Sequence, residues 1–323
     1  MALTQIYSQF KHKFSNVLSW YGGLHFQHFS LNGSYTFEPR TSMMWDFLPK
    51  HSLSIGAGMH SQLQPRLFYF FETHLPDGST ILTNRNLDFS KSNQFVIGYD
   101  FVINKNMRLK LETYYQHLHN IAVKQKLSSY SIINYGTVFF GERSDSLVNK
   151  GTGKNYGLEL TFEKFLSKNY YFLITGSLFE SNYKGSDGIQ RNTIFNGNYV
   201  VNFLAGYTLK IGKYNKLKLD IKTVNAGGKH YIPVDLQKSI LSGKKELDFD
   251  RAYEPQFDDY FRFDGRISFD LNLKKINAEI ALDVQNITNH KNVLLESFDI
   301  TSGTARYDYQ LGLFYVFLIR IQF

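Results

Sequence analysis

Arg306-Tyr307-Asp308-Tyr309-Gln310-Leu311-Gly312-Leu313-Phe314-Tyr315-Val316-Phe317-Leu318-Ile319-Arg320-Ile321-Gln322-Phe323 is the stretch whose reading decides the fold. Every odd position from Tyr307 to Phe323 is apolar or aromatic. The even positions carry Arg306, Asp308, Gln310, Gly312, Arg320 and Gln322 around a smaller apolar centre at Phe314, Val316 and Leu318. A period of two over this length predicts one long β-strand, not a helix. It is far longer than the roughly 5–6 residues of an ordinary globular strand. One face is greasy from end to end and the other is mixed, as in a strand with lipid outside and water inside.

The same alternation recurs upstream. Ile276, Ala278, Ile280, Leu282 and Val284 alternate with Lys275, Asn277, Glu279, Asp283 and Gln285. Stretches 261–273, 216–223, 199–211, 156–163, 107–116 and 95–103 read the same way, and further strands are predicted near 3–12, 17–31, 34–47, 51–62 and 169–181. With this parity the charges Arg108, Lys110, Glu159, Lys218, Asp220, Asp270, Glu279 and Arg320 all face inward. A charge facing lipid would cost about 2–4 kcal/mol at the midplane, so their absence from the outer face supports the assignment.

Composition agrees. The chain has 323 residues, 43% hydrophobic and 16% aromatic, with 29 Phe, 22 Tyr and only 6 Pro, which suits β-structure and interfacial aromatic girdles. No run approaches the 18 or more apolar residues of a membrane-spanning helix, whereas alternation hides the hydrophobicity of a barrel from any average. Cysteine is absent, which excludes a disulfide framework and thiolate metal sites. The net charge of +8 is spread along the strands. The nearest thing to a nucleic-acid footprint is Lys216, Lys218 and Lys222, and Asp220 interrupts it, so no nucleic-acid partner is expected.

The connections fall into two alternating classes. Pro49-Lys50, Asn104-Lys105-Asn106, Ser167-Lys168-Asn169, Gly212-Lys213-Tyr214 and Asn272 to Lys274 are short, whereas about 63–90, 120–155, 182–197, 227–258 and 286–306 are long. Short turns on the periplasmic side and long loops outside are the layout of an outer-membrane barrel. About 13 strands are expected. The last ends at the short turns, so the first begins on the extracellular side. A complete bacterial barrel has an even strand number, and Met1 leads straight into Ala2-Leu3-Thr4 with no apolar signal segment. Together these predict the C-terminal part of a longer protein, a single barrel segment over 1–323.

Several stretches carry a family likeness. They are Glu38-Pro39-Arg40, 58–65 (GMHSQLQP), 91–99 (KSNQFVIGY), 149–159 (NKGTGKNYGLE), Phe195-Asn196-Gly197-Asn198-Tyr199, Asn225-Ala226-Gly227-Gly228-Lys229 and 282–289 (LDVQNITN), completed by the strand ending at Phe323. They resemble the C-terminal barrel of TonB-dependent outer-membrane receptors, in particular the Bacteroidetes type, over nearly the whole chain. The resemblance implies a 22-stranded barrel whose lumen holds an N-terminal plug. It implies uptake of a scarce ligand energised through the TonB system, with a surface lipoprotein as a further possible partner and outer-membrane lipid around the wall. Plug and N-terminal strands are missing from these residues, and an open sheet would leave edges that lipid does not tolerate, so this piece is not expected to transport alone. A final aromatic on the terminal strand implies a signal at Phe323 for the outer-membrane assembly machinery.

Candidate ligand or plug contacts follow from position. His60, Gln62, Gln64 and Arg66 leave the membrane into a long loop, and loops carry binding more often than scaffold does. His117 and His119 are two apart and share one face of a strand. Without a nearby acid they are read as polar side chains at the outer strand end, not as a metal site. Arg262 and Arg266 are inward charges that a plug could meet. Gly151-Thr152-Gly153-Lys154 lacks the spacing of a phosphate loop and reads as a loop returning to the strand at Tyr156. Asp258-Asp259 reads as a solvated pair, and no Gly-x-Ser-x-Gly elbow or metal-ligand cluster occurs, so no enzyme and no cofactor are expected. The competing reading is a self-contained, porin-like passive channel. An outer-membrane hydrolase and a soluble β-rich binding module fit less well.

Overall fold

The computed structural model describes residues 1–136, 144–273 and 276–323. Alternating sequence becomes antiparallel sheet almost throughout. β1 (Leu3–Lys13), β2 (Leu18–Phe29), β3 (Tyr35–Leu48) and β4 (His51–Gln62) form an up-and-down run. A loop follows with helix α1 (Arg66–Tyr69) and the two-residue strands β5 (Thr73–His74) and β6 (Thr80–Ile81). β7 (Ser90–Asn104) and β8 (Met107–Lys124) return to the sheet, then β9 (Leu147–Ser167) and β10 (Tyr170–Lys184). The short β11 (Gln190–Asn192) is clipped to the outer end of β10, and β12 (Tyr199–Ile211) and β13 (Asn215–Ala226) continue the wall. Beyond α2 (Leu236–Ser242) come β14 (Tyr260–Asn272) and β15 (Asn277–Gln285). A hairpin of β16 (Val293–Asp299) and β17 (Thr304–Tyr309) precedes the last strand, β18 (Phe314–Gln322).

Among the described residues the sheet order is β1-β2-β3-β4-β7-β8-β9-β10-β12-β13-β14-β15-β18, each strand hydrogen-bonded to its neighbour. Pairing of every backbone N–H and C=O along such a path is what permits a sheet to sit in hydrocarbon. The outer face is apolar without a core beneath it: Ile55, Phe95, Ile97, Leu158, Val201, Ile221, Ile280, Phe317 and Ile319 are all exposed. In water so large an apolar face would be an interaction surface; in a membrane it is the lipid contact. The inward charges pair with one another. Lys110 meets Glu112 at 2.6 Å, Lys218 meets Asp270 at 2.5 Å, and Arg266 bridges Glu279 at 2.7 Å and Asp283 at 2.9 Å.

Two expectations are corrected. The alternation from Arg306 to Phe323 is not one strand. Its first part is β17, paired to β16 outside the wall, and only Phe314–Gln322 enters the sheet, beside β15. The break has a visible cause. Asn289 Oδ1 accepts the Leu313 N–H at 3.0 Å, and a Cβ on Gly312 would lie 2.3 Å from the same oxygen, so the chain is turned there. Second, the stretch 147–155, read as loop, is part of β9, which pairs with β8 up to Lys124. Gly151 is needed there because a Cβ would lie 2.4 Å from Val123 Cγ1. These strands thus rise above the membrane and carry the loops.

Candidate functional site

The concave face carries a polar row set by register. Gln94 pairs with Gln116, Gln116 with Asn155, and Asn155 with Ser181, so equivalent positions on four strands lie side by side. The side chains are linked: Asn155 Nδ2 donates to Gln116 Oε1 at 2.6 Å, and Ser181 Oγ donates to Asn155 Oδ1 at 2.7 Å. Gln116 Nε2 donates to Ser92 Oγ at 2.9 Å. On the other side Gly58 pairs with Gln94 and Arg40 with Gly58. A Cβ on Gly58 would stand 3.2 Å from Arg40 Cγ, so the missing side chain gives the arginine room to lie across the row.

Glu38 anchors that end and is 1% exposed. The Ser61 hydroxyl donates to its Oε1, as does Gln27 Nε2 at 2.5 Å, while Arg40 donates to Oε2 at 2.8 Å and His25 Nδ1 lies 2.9 Å from Oε2. Four converging partners are what a buried carboxylate requires. Next to it His60, Gln62, Gln64, Ser92, Gln116 and Tyr135 line a cavity of about 430 Å³ under the outer loops. Its lining mixes amides and hydroxyls with an apolar side made by Leu63, Leu118, Ile121, Ile132 and Ile133. It can hold a polar ligand or chain by exchanging hydrogen bonds, and among the described residues no cluster of three or more His, Asp, Glu or Cys could hold a metal ion.

Over this cavity the loops form a canopy with its own core. Phe29, Phe68, Tyr69, Leu87, Phe89, Ala122 and Leu147 are buried together, drawn from strand ends and from the loop after β4. Asparagines fix the backbone around them. Buried Asn84 donates to the Ser144 carbonyl at 2.8 Å and accepts the Leu147 N–H at 2.9 Å, while Asn149 Nδ2 donates to the Asp88 and Asn120 carbonyls. Burial pushes the Tyr69 phenol up to about 12. A second aromatic group covers the later loops: Tyr231 stacks on Phe257 at 3.9 Å, and Tyr307 meets Phe257 edge-on. The loops meet at glycines. A Cβ on Gly227 would lie 1.8 Å from the Gly197 carbonyl oxygen, and one on Gly228 would lie 1.8 Å from that of Phe257.

The family model described as TonB dependent receptor-like, beta-barrel matches residues 2–287. The chain belongs to that family. No curated protein sequence matches it. Among solved structures, the ferric yersiniabactin uptake receptor FyuA from Yersinia pestis superposes with a TM-score of 0.66 at 12% identity, over 99% of this chain and 45% of that one. The outer membrane transporter YddB from Escherichia coli gives 0.65 at 13% identity, over 99% and 45%. BauA, the ferric preacinetobactin receptor from Acinetobacter baumannii, gives 0.62 at 12% identity, over 98% and 43%. The chain thus spans under half the length of these relatives. Its sheet is wall of an outer-membrane β-barrel.

In this TonB-dependent receptor-like barrel the residues singled out by sequence part company. His60, Gln62 and Gln64 come together at the cavity, with Gln64 buried and its Nε2 donating to Ser90 Oγ at 2.7 Å. Arg66 opens α1, is exposed, and lies over the Phe70 ring at 5.8 Å. His117 and His119 stack at 5.8 Å but share the parity of Tyr115, opposite to Gln116 and Leu118, so they are outside the cavity. Arg262 and Arg266 are on the far inner wall, held by Asp264, Glu279 and Asp283. Phe323 follows β18 and is 98% exposed. Sequence reading used Glu38 only as part of a likeness. Its spacing of two from Arg40, an acid and a base on one strand face, was the signal for the buried pair. Likewise Asn286, in the Gln-Asn-Ile-Thr-Asn element, accepts the His290 N–H at 3.1 Å and donates to the His290 carbonyl at 3.0 Å, which shapes the loop.

Proposed function

We propose that this chain supplies wall and outer loops to a receptor that takes up a scarce ligand across the outer membrane with TonB-derived energy. In this reading, further barrel strands and a plug lie outside residues 1–323, and these residues alone do not transport. The polar row with Glu38 and Arg40, facing inward beneath a folded canopy, is the observation that carries it. A lumen that only conducted water and ions would need no fixed hydrogen-bonding row roofed by a packed core. His60, Gln62 and Gln64 are the ligand- or plug-facing candidates, Arg262 and Arg266 are plug-facing, and Arg66 stands at the outer rim. His117 and His119 would serve the outer surface. Phe323 would be read by the assembly machinery, and a surface lipoprotein would seat on the canopy.

Growth of a strain deleted for the gene tests this on ferric chelates and cobalamin as limiting nutrients, with the full-length gene returned in strains with and without TonB. One nutrient should require both the gene and TonB. Uptake that persists without TonB would point to a passive channel instead.

A further inference from the structure

The short turns share a charge signature that uptake does not explain. Five of them join strands among the described residues, at 14–17, 49–50, 105–106, 168–169 and 212–214. Four contain lysine (Lys50, Lys105, Lys168 and Lys213), and the fifth is entered from Lys13. None contains Asp or Glu. The outer loop 227–259, in contrast, has five Lys or Arg against seven Asp or Glu. Nor do the rim lysines meet a carboxylate: Lys50 Nζ donates to the Ile103 carbonyl at 3.3 Å and Lys213 lies over the Tyr214 ring. Lys13, Lys50, Lys105, Lys168 and Lys213 are on no ion pair among the described residues, whereas the wall cations Arg108, Lys110, Lys218 and Arg266 are all paired.

The signature is densest between β9 and β13. Stretches 164–171 and 207–217 hold Lys164, Lys168, Lys210, Lys213 and Lys216 and no acid at all. Lys164 has the parity of Phe162, so its stem starts on the lipid face. Its ammonium bends down to donate to the carbonyls of Ser167 at 2.8 Å and Tyr170 at 2.7 Å, with the Tyr170 ring 3.5 Å away. That is a snorkelling lysine at the membrane edge. Directly above, the outer face has a groove of about 540 Å³ between Phe162, Phe172, Phe203, Tyr207 and Ile221. Its floor is Ala205, which pairs with Phe172 on one side and Ile221 on the other and is far smaller than either.

An acyl-sized apolar groove on strands whose turns carry lysine and no acid fits one occupant. We propose that the periplasmic rim binds an anionic phospholipid of the inner leaflet, its chain in the Ala205 groove and its phosphate against Lys168 and Lys213. Each surface lysine near an anionic headgroup layer strengthens association about fivefold. The site anchors the barrel in the leaflet and fixes its depth.

The full-length receptor in phosphatidylcholine bilayers, with spin-labelled phosphatidylglycerol or phosphatidylcholine as probe, tests this. The motionally restricted fraction should favour phosphatidylglycerol, and added salt should erase the preference. Lys168→Gln with Lys213→Gln should cut it roughly 25-fold. Lys238→Gln with Lys244→Gln, removing equal charge from an outer loop, should leave it unchanged. Ala205→Leu should lower it with the rim charge intact. Equal restriction of both probes in the wild type would overturn the proposal. So would a preference that survives loss of the two rim lysines, the result expected if they serve a periplasmic protein.

Discussion

Phe317 and Phe68 are the same side chain in opposite surroundings. Phe317, on β18, is 76% exposed on the outer wall, and Phe68, in the loop after β4, is fully buried in the canopy. The wall has backbone pairing and no core, and relies on lipid to cover its apolar face. The canopy has little sheet and a packed core of its own, so its shape is set before any ligand arrives. Each region should therefore fail to a different substitution. Phe68→Ala opens a cavity under Tyr135 and Tyr69 and should cost about 3–5 kcal/mol, all of it in the canopy. Limited proteolysis of the full-length protein should cut the loop at 63–89, while the heat-modifiable gel mobility of the folded barrel stays unchanged. If both signals are lost together, canopy and wall are one cooperative unit.

Phe317→Lys reverses the test. A charge on the lipid face should destabilise the wall by about 2–4 kcal/mol near the midplane, read as a lower guanidinium midpoint in vesicles. Phe317→Ala should do much less, because lipid fills the space that a core would leave empty. A similar cost for both would mean that Phe317 packs on protein and not on lipid.

Between the two lies Glu38. Glu38→Gln keeps the volume but removes the charge that Arg40 and Gln27 address, and should cost about 1–3 kcal/mol. It belongs to the wall by position and to the site by contact. A shift in the guanidinium midpoint with unaltered loop proteolysis would assign it to the wall alone.

The wall was legible and the canopy was not, for a physical reason. Strand parity is local: a period of two places Ile280 outside and Glu279 inside wherever the strand pairs. It even placed β12, from Tyr199 to Ile211, at the right residues. Parity says nothing about where a strand stops, which is why Tyr307 and Phe317 looked like one element. The stop is set by Asn289, a side chain 24 residues from the amide it holds. The cavity was half legible. His60, Gln62 and Gln64 were visible as residues leaving the wall, but Gln116 joins them only through register, as do Asn155 and Ser181 in the row beside it. The canopy core depends on contacts such as Asn84 with Ser144, 60 residues apart, which no local pattern reports.

The smallest effect gives the finest comparison. Tyr69 is neutral in the folded canopy, where burial raises its phenol from the ordinary 10 to about 12. The unfolded loop gives up that proton near pH 10 while the folded loop retains it. The stability tied to the neutral phenol is therefore complete below pH 10 and is lost as the pH climbs to 12. The canopy should loosen over that window while the wall keeps its strands, seen as loop proteolysis rising without loss of β circular dichroism. Tyr69→Phe removes the titrating group and a single 3.3 Å hydrogen bond from the Gln64 N–H. It should cost only about 0.5–1.5 kcal/mol at neutral pH and flatten the alkaline loosening. If the loosening remains in Tyr69→Phe, another buried phenol governs it, and Tyr231, also raised by burial in the second aromatic group, is the next to replace.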